Sequence, residues 1–333
     1  MRGRRLSGAA GRRSPISHRG SRGRHPLAAD DGRYPPRVLS GLIQILPNPI
    51  LFEIPGTLIR VGWYGVGYIV GVAVLILVAQ REIARRGIEP RHVTNALIFV
   101  AACALIGARL YHVIDQWAYY SQNLPQIVLP PYSGLALYGG VAGGLVGIAI
   151  YVRRHRLPFW STVDACVPGA LFAQGIARWG NFFNQELYGP PTDAPWGITI
   201  GCDHRIAPYT CAAYPEATTG FHPLFFYESA LDIGGGLVAL WLSRRHFARL
   251  RPGDLASFWF IWYGSVRFVL ETFRSEYDWK LLGVAPTAMV IGVLAVVLGV
   301  ASIVWRHRTP ADAGPPQPAA GLEDTNLDQP DQA

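Results

Sequence analysis

Charge is scarce in this 333-residue chain: Asp, Glu, Lys and Arg make up 16% of it, while half of its residues are hydrophobic. A soluble domain carries about a quarter charged residues, so this deficit, with a mean hydropathy of +0.20, excludes an ordinary water-soluble fold. Long stretches of alternating apolar and polar residues are missing, which excludes a transmembrane barrel. There is no basic platform interleaved with aromatics, so the net charge of +8 does not indicate a nucleic-acid partner. Cysteine is limited to four residues. Cys103 and Cys166 fall in apolar runs and read as small core residues. Cys202 and Cys211 bracket GCDHRIAPYTC, a spacing that allows a disulfide in an oxidising compartment; a metal site including His204 is the alternative.

What fills the chain is long apolar runs. Windows near 62–80, 93–111, 134–152, 163–180, 223–242, 255–273 and 285–305 suit a hydrocarbon core about 30 Å thick, which takes roughly 20 residues to cross. In lipid such windows must be helices. The expected fold is all-α: a polytopic membrane protein with about seven transmembrane helices. Basic segments follow the first, third, fifth and seventh windows, namely QREIARRGIEPRH, YVRRHR, SRRHFARLRPGD and WRHRTP. Cytoplasmic loops carry such an excess, so the N-terminus is expected outside and the C-terminus in the cytoplasm. Residues 1–45 read as a disordered basic tail or an over-called start, since no apolar core follows their arginines closely enough for a signal peptide. Residues 46–305 form the membrane domain, with an external loop or head region near 181–222. Residues 306–333, rich in Pro and Asp, read as a disordered tail.

Ionisable residues inside spans are costly, and each is a functional hypothesis. In this orientation Tyr64, Arg109, Tyr138, Arg178, His222, Tyr227 and Glu228 all fall at outer ends of their windows. Arg267 lies roughly 18 Å along the sixth window, at mid-depth to the outer half, with Tyr263 and Glu271 one turn to either side. Taken singly, these residues have plain explanations: snorkelling arginines, aromatic-belt tyrosines, Glu271 neutralising Arg267. The glycine run GGVAGG at 139–144 marks close helix packing. Taken together with ARWGNFFNQELYG at 177–189, which adds Asn181, Asn184, Glu186 and Gly189, they concentrate hydrogen-bonding capacity at one depth. Guanidinium forks suit phosphate or carboxylate, asparagine and tyrosine can orient ester or glycerol oxygens, and apolar walls can hold acyl chains. A phospholipid head group fits that set.

RWGNFFNQELYG closely resembles the signature of the prolipoprotein diacylglyceryl transferases, Arg-x-Gly-Asn-Phe-x-Asn-x-Glu-x-x-Gly, carried here by Arg178, Gly180, Asn181, Phe182, Asn184, Glu186 and Gly189. WYGVGY at 63–68, GAR at 107–109, HPLFFYE at 222–228 and YGSVRFVLETFR at 263–274 are similar to further motifs of the family. The likeness covers roughly residues 46–305. The resemblance implies a seven-helix enzyme of the bacterial cytoplasmic (inner) membrane with its active cavity toward the outer side. It implies transfer of the diacylglyceryl group of phosphatidylglycerol to the lipobox cysteine of a preprolipoprotein, giving a thioether and glycerol phosphate. Its partners are then phosphatidylglycerol and preprolipoprotein signal peptides, with no metal, nucleotide or other cofactor. Catalytic work falls to Arg178, Arg267, Tyr138 and Tyr64, and substrate binding to Arg178, Asn181, Asn184, Glu186, Gly189, Arg109, His222, Tyr227, Glu228, Tyr263 and Glu271.

Two positions depart from the family pattern. Many members carry His-Gly-Gly in the third span where this chain has Tyr138-Gly-Gly, and Ala177 stands where glycine is common. A tyrosine with a pKa near 10 is a poor base at neutral pH. Thiol activation is therefore expected from a positive outer cavity acting on a cysteine already a few per cent ionised, with His112 and His222 as alternative bases. Other functions are a transporter or flippase of an anionic amphiphile, disfavoured by the lack of repeated halves or paired broken helices, and a non-catalytic lipid- or lipoprotein-binding homologue, left open by the missing histidine. The CDP-alcohol transferases are a weaker rival, because their multi-aspartate metal motif is absent.

Overall fold

The computed structural model describes residues 43, 45–55, 60–128, 134–274, 280–281 and 285–309. The arginine-rich stretch up to residue 42 and the chain beyond 309 lie outside the described residues. In chain order the helices are α1 (Trp63–Ala84), α2 (Arg91–Asp115), the single turn α3 (Trp117–Tyr120), α4 (Leu137–Arg154), α5 (Phe159–Ala177), the short α6 (Trp179–Phe183), α7 (Leu224–Arg245), α8 (Asp254–Glu271) and α9 (Thr287–Arg308). Three antiparallel strand pairs accompany them: β1 (Ile50–Glu53) with β2 (Arg60–Gly62), β3 (Pro191–Thr192) with β4 (Gly220–Phe221), and β5 (Lys280–Leu281) with β6 (Ala285–Pro286).

The long helices fall on the seven apolar windows. Four of them, α1, α2, α7 and α9, are long and apolar enough to cross a membrane on length and composition alone. The other three are diluted. Glycines and terminal arginines interrupt α4, Asp164 and Gln174 interrupt α5, and Asp254, Arg267 and Glu271 lie in α8. The chain is thus a helical membrane protein. Ordered structure extends slightly beyond the 46–305 window: Ile43 already bridges to Ile198, and α9 continues through Arg308 because nothing in WRHR breaks a helix.

Between helices in lipid there is no hydrophobic driving force, so close backbone approach and dispersion must hold them together. The glycines supply that approach. A Cβ on Gly139 would lie 2.3 Å from the Gly107 carbonyl oxygen where α4 crosses α2, and one on Gly264 would lie 2.4 Å from the Gly292 oxygen where α8 crosses α9. On α1, a Cβ at Gly71 would meet the Ala173 carbonyl of α5 at 3.0 Å.

Buried polar clasps fix the helix ends that carry the basic loops. Fully buried Glu82 of α1 accepts from Ser243 Oγ of α7 at 2.7 Å and pairs with Arg244 at 3.0 Å and Arg86 at 3.6 Å. Asp164 of α5 accepts from the backbone N–H groups of Gly253 (2.7 Å) and Ala256 (2.9 Å), capping α8 from a neighbouring helix. A carboxylate there satisfies orphan donors and complements the helix dipole. Asp254 of α8 meets His307 of α9 at 2.8 Å.

Between α6 and α7 lies a small head region with its own core of Tyr188, Ile198, Ile200, Tyr209, Phe221 and Phe225. Arg205 stands over the Phe221 ring at 4.9 Å and donates to the carbonyls of Ile200 and Tyr214. Cys202 and Cys211 are joined in a disulfide with their Cα atoms 5.7 Å apart. Glu216 lies beside both sulfurs, but thiols spent in a disulfide are not metal ligands, so the metal alternative does not hold for this pair.

Candidate functional site

The polar stretch at 177–189 is where α5 ends and the chain turns. Arg178 closes α5 and opens α6. Gly180 must be glycine, because a Cβ there would sit 2.3 Å from a ring carbon of Tyr64; α1 thus lays its tyrosine directly on α6. Asn181, 2% exposed, donates its Nδ2 to Glu186 Oε1 at 2.8 Å, and Asn184 Nδ2 reaches the same oxygen at 3.4 Å. The Glu186 backbone N–H returns to the Asn181 carbonyl at 2.9 Å. That reversal puts Gln185 (φ 52°) and Leu187 (φ 56°) in the left-handed region, which side-chain-bearing residues adopt at a cost of about 1–3 kcal/mol and which clusters at functional sites. Gln185 Oε1 accepts from the Gly201 backbone N–H at 2.7 Å, tying the turn to the head region. Much of the polarity is therefore spent on building the turn. Asn181 Oδ1 is the exception: it is buried and has no partner among the described residues.

Arg178 faces Glu228 of α7, with Nη2 2.7 Å from Oε1. Glu228 is 1% exposed and is the hub of a cluster. Arg267 of α8 approaches its Oε1 at 3.6 Å, Arg274 approaches its Oε2 at 3.6 Å, and Glu271 lies 3.6 Å from Arg267 and 3.9 Å from Arg274. Those four contacts are longer than hydrogen bonds, and Glu228 Oε2, Glu271 Oε2, Arg274 Nε and Arg274 Nη2 are all buried without a hydrogen-bond partner among the described residues. Burial lowers the pKa of Arg274, and the neighbouring Arg267 lowers it further. One turn beyond Glu228, Asp232 is 3% exposed and is influenced by Glu228, Arg178 and Arg267.

Three guanidinium groups therefore gather around two carboxylates, Glu228 and Glu271, with Asp232 buried nearby. The positive charge expected from the sequence is thus partly offset, because a buried arginine needs a counter-charge. What the cluster offers is directed N–H donors. Arg267 also sits nearer the helix end than expected: α8 stops at Glu271, one turn past it.

Beside Arg178 opens a cavity of about 370 Å³ between α1 and α5, with Trp259 of α8 as its far wall and Tyr64, Arg178 and Asn181 at one end. Trp259 is held by a hydrogen bond from Nε1 to Gln174 Oε1 (3.0 Å) and by stacking on Tyr263 at 5.1 Å. A second group lies at the start of α7. Trp196 Nε1 donates to Tyr227 Oη at 2.7 Å, and Tyr227 Oη lies 3.0 Å from His222 Nδ1. The indole can only donate, so Tyr227 Oη is an acceptor toward Trp196 and links it to the His222 ring. Burial lowers the His222 pKa. Gly189 brings the signature against this group, its N–H donating to the His222 carbonyl at 2.8 Å.

Arg109 serves a different neighbourhood. Its guanidinium donates to the carbonyls of Ile127 (3.1 Å), Gly134 (3.0 Å) and Gln126 (2.6 Å) and stands over the Tyr120 ring. His112 packs its imidazole on Gly134, where a Cβ would lie 2.0 Å from Nε2. Both thus meet at Gly134, three residues before α4. Tyr138 is in the first turn of α4; its side chain lies outside the described residues. Sequence reasoning singled out neither Arg274 nor Asp232. Arg274 closes the quoted YGSVRFVLETFR and was legible as a third cation at that depth, whereas Asp232 had only its place in an apolar run as a signal.

The family model described as prolipoprotein diacylglyceryl transferase matches residues 49–305. Among curated proteins, the chain is similar to the phosphatidylglycerol–prolipoprotein diacylglyceryl transferase of Chloroflexus aggregans, with 38% identity covering 79% of this chain and 91% of the relative. The protein of the same name from Thermosynechococcus vestitus is 36% identical over 74% of this chain and 91% of its own. That from Leifsonia xyli subsp. xyli is 34% identical over 83% and 86%.

Proposed function

The chain belongs to the prolipoprotein diacylglyceryl transferase family, and from that premise we propose how its geometry serves the reaction. It is a phosphatidylglycerol–prolipoprotein diacylglyceryl transferase, acting in the first step of lipoprotein maturation. Phosphatidylglycerol is the donor, and the acceptor is the lipobox cysteine of a preprolipoprotein. The cysteine sulfur attacks the diacylglyceryl carbon that bears the phosphate; the carbon–sulfur bond forms, the carbon–oxygen bond breaks, and glycerol phosphate leaves with the electron pair while the thiol proton passes to water.

The observation that carries this reading is the convergence of Arg178 and Arg267 on Glu228 beside a cavity with Tyr64 and Asn181 at the same end. Glu228 and Glu271 hold the guanidinium groups in place, and their remaining N–H donors grip the phosphate and offset charge as glycerol phosphate leaves. Asn181 Oδ1, an acceptor without a partner, suits a glycerol hydroxyl. The thiol is ionised to a few per cent at neutral pH, which supplies the nucleophile. Arg109, engaged by the carbonyls of Gln126, Ile127 and Gly134, stands apart from this step.

All seven long helices span the bacterial inner membrane, with the N-terminus outside and the C-terminus in the cytoplasm. The basic ends of α1, α4, α7 and α9 support this orientation. Residues 46–305 constitute the transferase domain. The test is reconstitution: purified protein, phosphatidylglycerol and a lipobox peptide yield a thioether-linked peptide and glycerol phosphate, and replacing the peptide cysteine by serine abolishes product. A protein that moves phosphatidylglycerol between leaflets without making thioether would support the flippase reading instead.

A further inference from the structure

The cavity beside Arg178 narrows into an apolar groove whose walls come from α1 and α5. Gly71, Val72 and Leu75 line it from α1, Ala170 and Ala173 from α5. The small residues matter because α1 and α5 touch along this seam: a Cβ on Gly169 would lie 2.8 Å from the Leu75 carbonyl, as one on Gly71 would lie 3.0 Å from that of Ala173. Below Leu75 the seam is filled by Ala79, Ile83 and Ala165, against which Leu75 itself packs. The groove therefore has a floor. Ala170 lies a little over two turns before Arg178, about 12 Å along the helix.

The groove has a polar mouth and a closed apolar end, and the mouth is built for a ligand. Asn181 is 2% exposed, lines the cavity and leaves its Oδ1 without a partner. Beside it, Arg178 uses Nη2 on Glu228 and turns the rest of a quarter-exposed guanidinium toward the opening. An anionic head group carrying hydroxyls, with an apolar tail, matches that sequence of surfaces. The volume decides how much tail enters. About 370 Å³ is about a dozen volumes of roughly 30 Å³, the share of one water in the liquid, and the head group at Arg178 takes part of it, so one acyl chain fits only in part and two do not fit.

We infer that the groove takes a single acyl chain of phosphatidylglycerol, with Leu75 and Ala170 at its floor setting the preferred chain length, while the second chain stays in the bilayer. This inference rests on the transferase reading. A ruler of this kind works by exclusion: a chain that overruns the floor must fold back or lift the phosphate from Arg178, and either displaces the reacting carbon.

The experiment is an internal competition. Purified protein in mixed micelles is given a lipobox peptide and equimolar decanoyl- and palmitoyl-chain phosphatidylglycerols, and the mass of the thioether product reports which lipid was used. Ala170→Phe raises the floor and shifts the decanoyl-to-palmitoyl product ratio upward by about tenfold relative to wild type. Leu75→Ala lowers it and shifts the ratio the other way. If Ala170→Phe does not accumulate as folded protein, Leu75→Ala alone decides. A ratio unchanged in every variant that folds overturns the inference and would mean that the groove holds something else, such as a side chain of the signal peptide. Failure of the wild-type protein to make any thioether refutes the transferase reading instead, so the two failures are distinguishable.

Discussion

Arg178→Lys keeps the charge and removes the fork. In the protein, Arg178 spends Nη2 on Glu228 at 2.7 Å and, of the five N–H donors of a guanidinium, keeps others for the cavity. A lysine can preserve the ion pair, because one ammonium N–H suffices for it. It cannot also present two parallel donors to phosphate oxygens from a planar group. Losing one pre-positioned donor to developing negative charge costs about 3 kcal/mol, on the order of a hundredfold in rate. The fold should hold: Glu228 retains the new ammonium together with Arg267 and Arg274, each at 3.6 Å, so the buried carboxylate is not left without a cation. The assay is kcat/KM for thioether formation by purified variant, alongside its thermal unfolding in the same detergent. Near-wild-type transfer, within about threefold, by a variant of normal stability would refute the phosphate-fork reading and leave Arg178 as the counter-ion of Glu228.

Asn181→Ala removes both the 2.8 Å bond to Glu186 and the buried Oδ1, and kcat/KM is expected to fall at least about tenfold; Phe183→Leu, which breaks the stack on Trp63 at 4.7 Å and the edge contact with Phe182 at 5.3 Å, should cost about 1 kcal/mol of stability with transfer nearly intact. Equal losses in the two would make α6 a packing element. Arg274→Gln leaves Glu228 and Glu271 short of a buried cation, and it is expected to lower the unfolding free energy by about 3 kcal/mol as well as transfer; normal melting and activity would show that Arg274 contributes to neither. Burial lowers the His222 pKa below its usual 6.5, so the unfolded chain takes up that proton first: the contribution is fully present above about pH 6.5 and is lost as pH falls below it. His222→Gln should flatten the decline in melting temperature between pH 7 and pH 5.5, and an unchanged slope would show that His222 does not titrate there. Finally, an impermeant thiol reagent should label Cys202 and Cys211 only after reduction; labelling of untreated protein would contradict the disulfide.

Period and composition alone were enough to locate the long helices, because a segment that must satisfy its backbone in lipid has only one conformation open to it. The signature at 177–189 likewise marked the turn after α5, since arginine, asparagine and glutamate at a helix end are costly unless they do something there. The glycines of 139–144 were readable as a packing surface for the same reason: nothing else lets two backbones approach within van der Waals contact. Orientation-by-depth reasoning also brought Arg178, Glu228, Arg267 and Glu271 to one level. What it could not do was pair them. Depth is a one-dimensional coordinate, whereas an ion pair depends on the rotation of each helix about its own axis, and that rotation is set by contacts such as Glu82 with Ser243 and Asp164 with the start of α8, which join residues far apart in the chain. Only the packed structure therefore separates Arg109, engaged with loop carbonyls, from the arginines around Glu228, adds Arg274 and Asp232 to that cluster, and sets two buried glutamates against the positive charge expected there. The same packing opens the groove between α1 and α5, whose shape belongs to the space between two helices and so is carried by neither sequence segment alone.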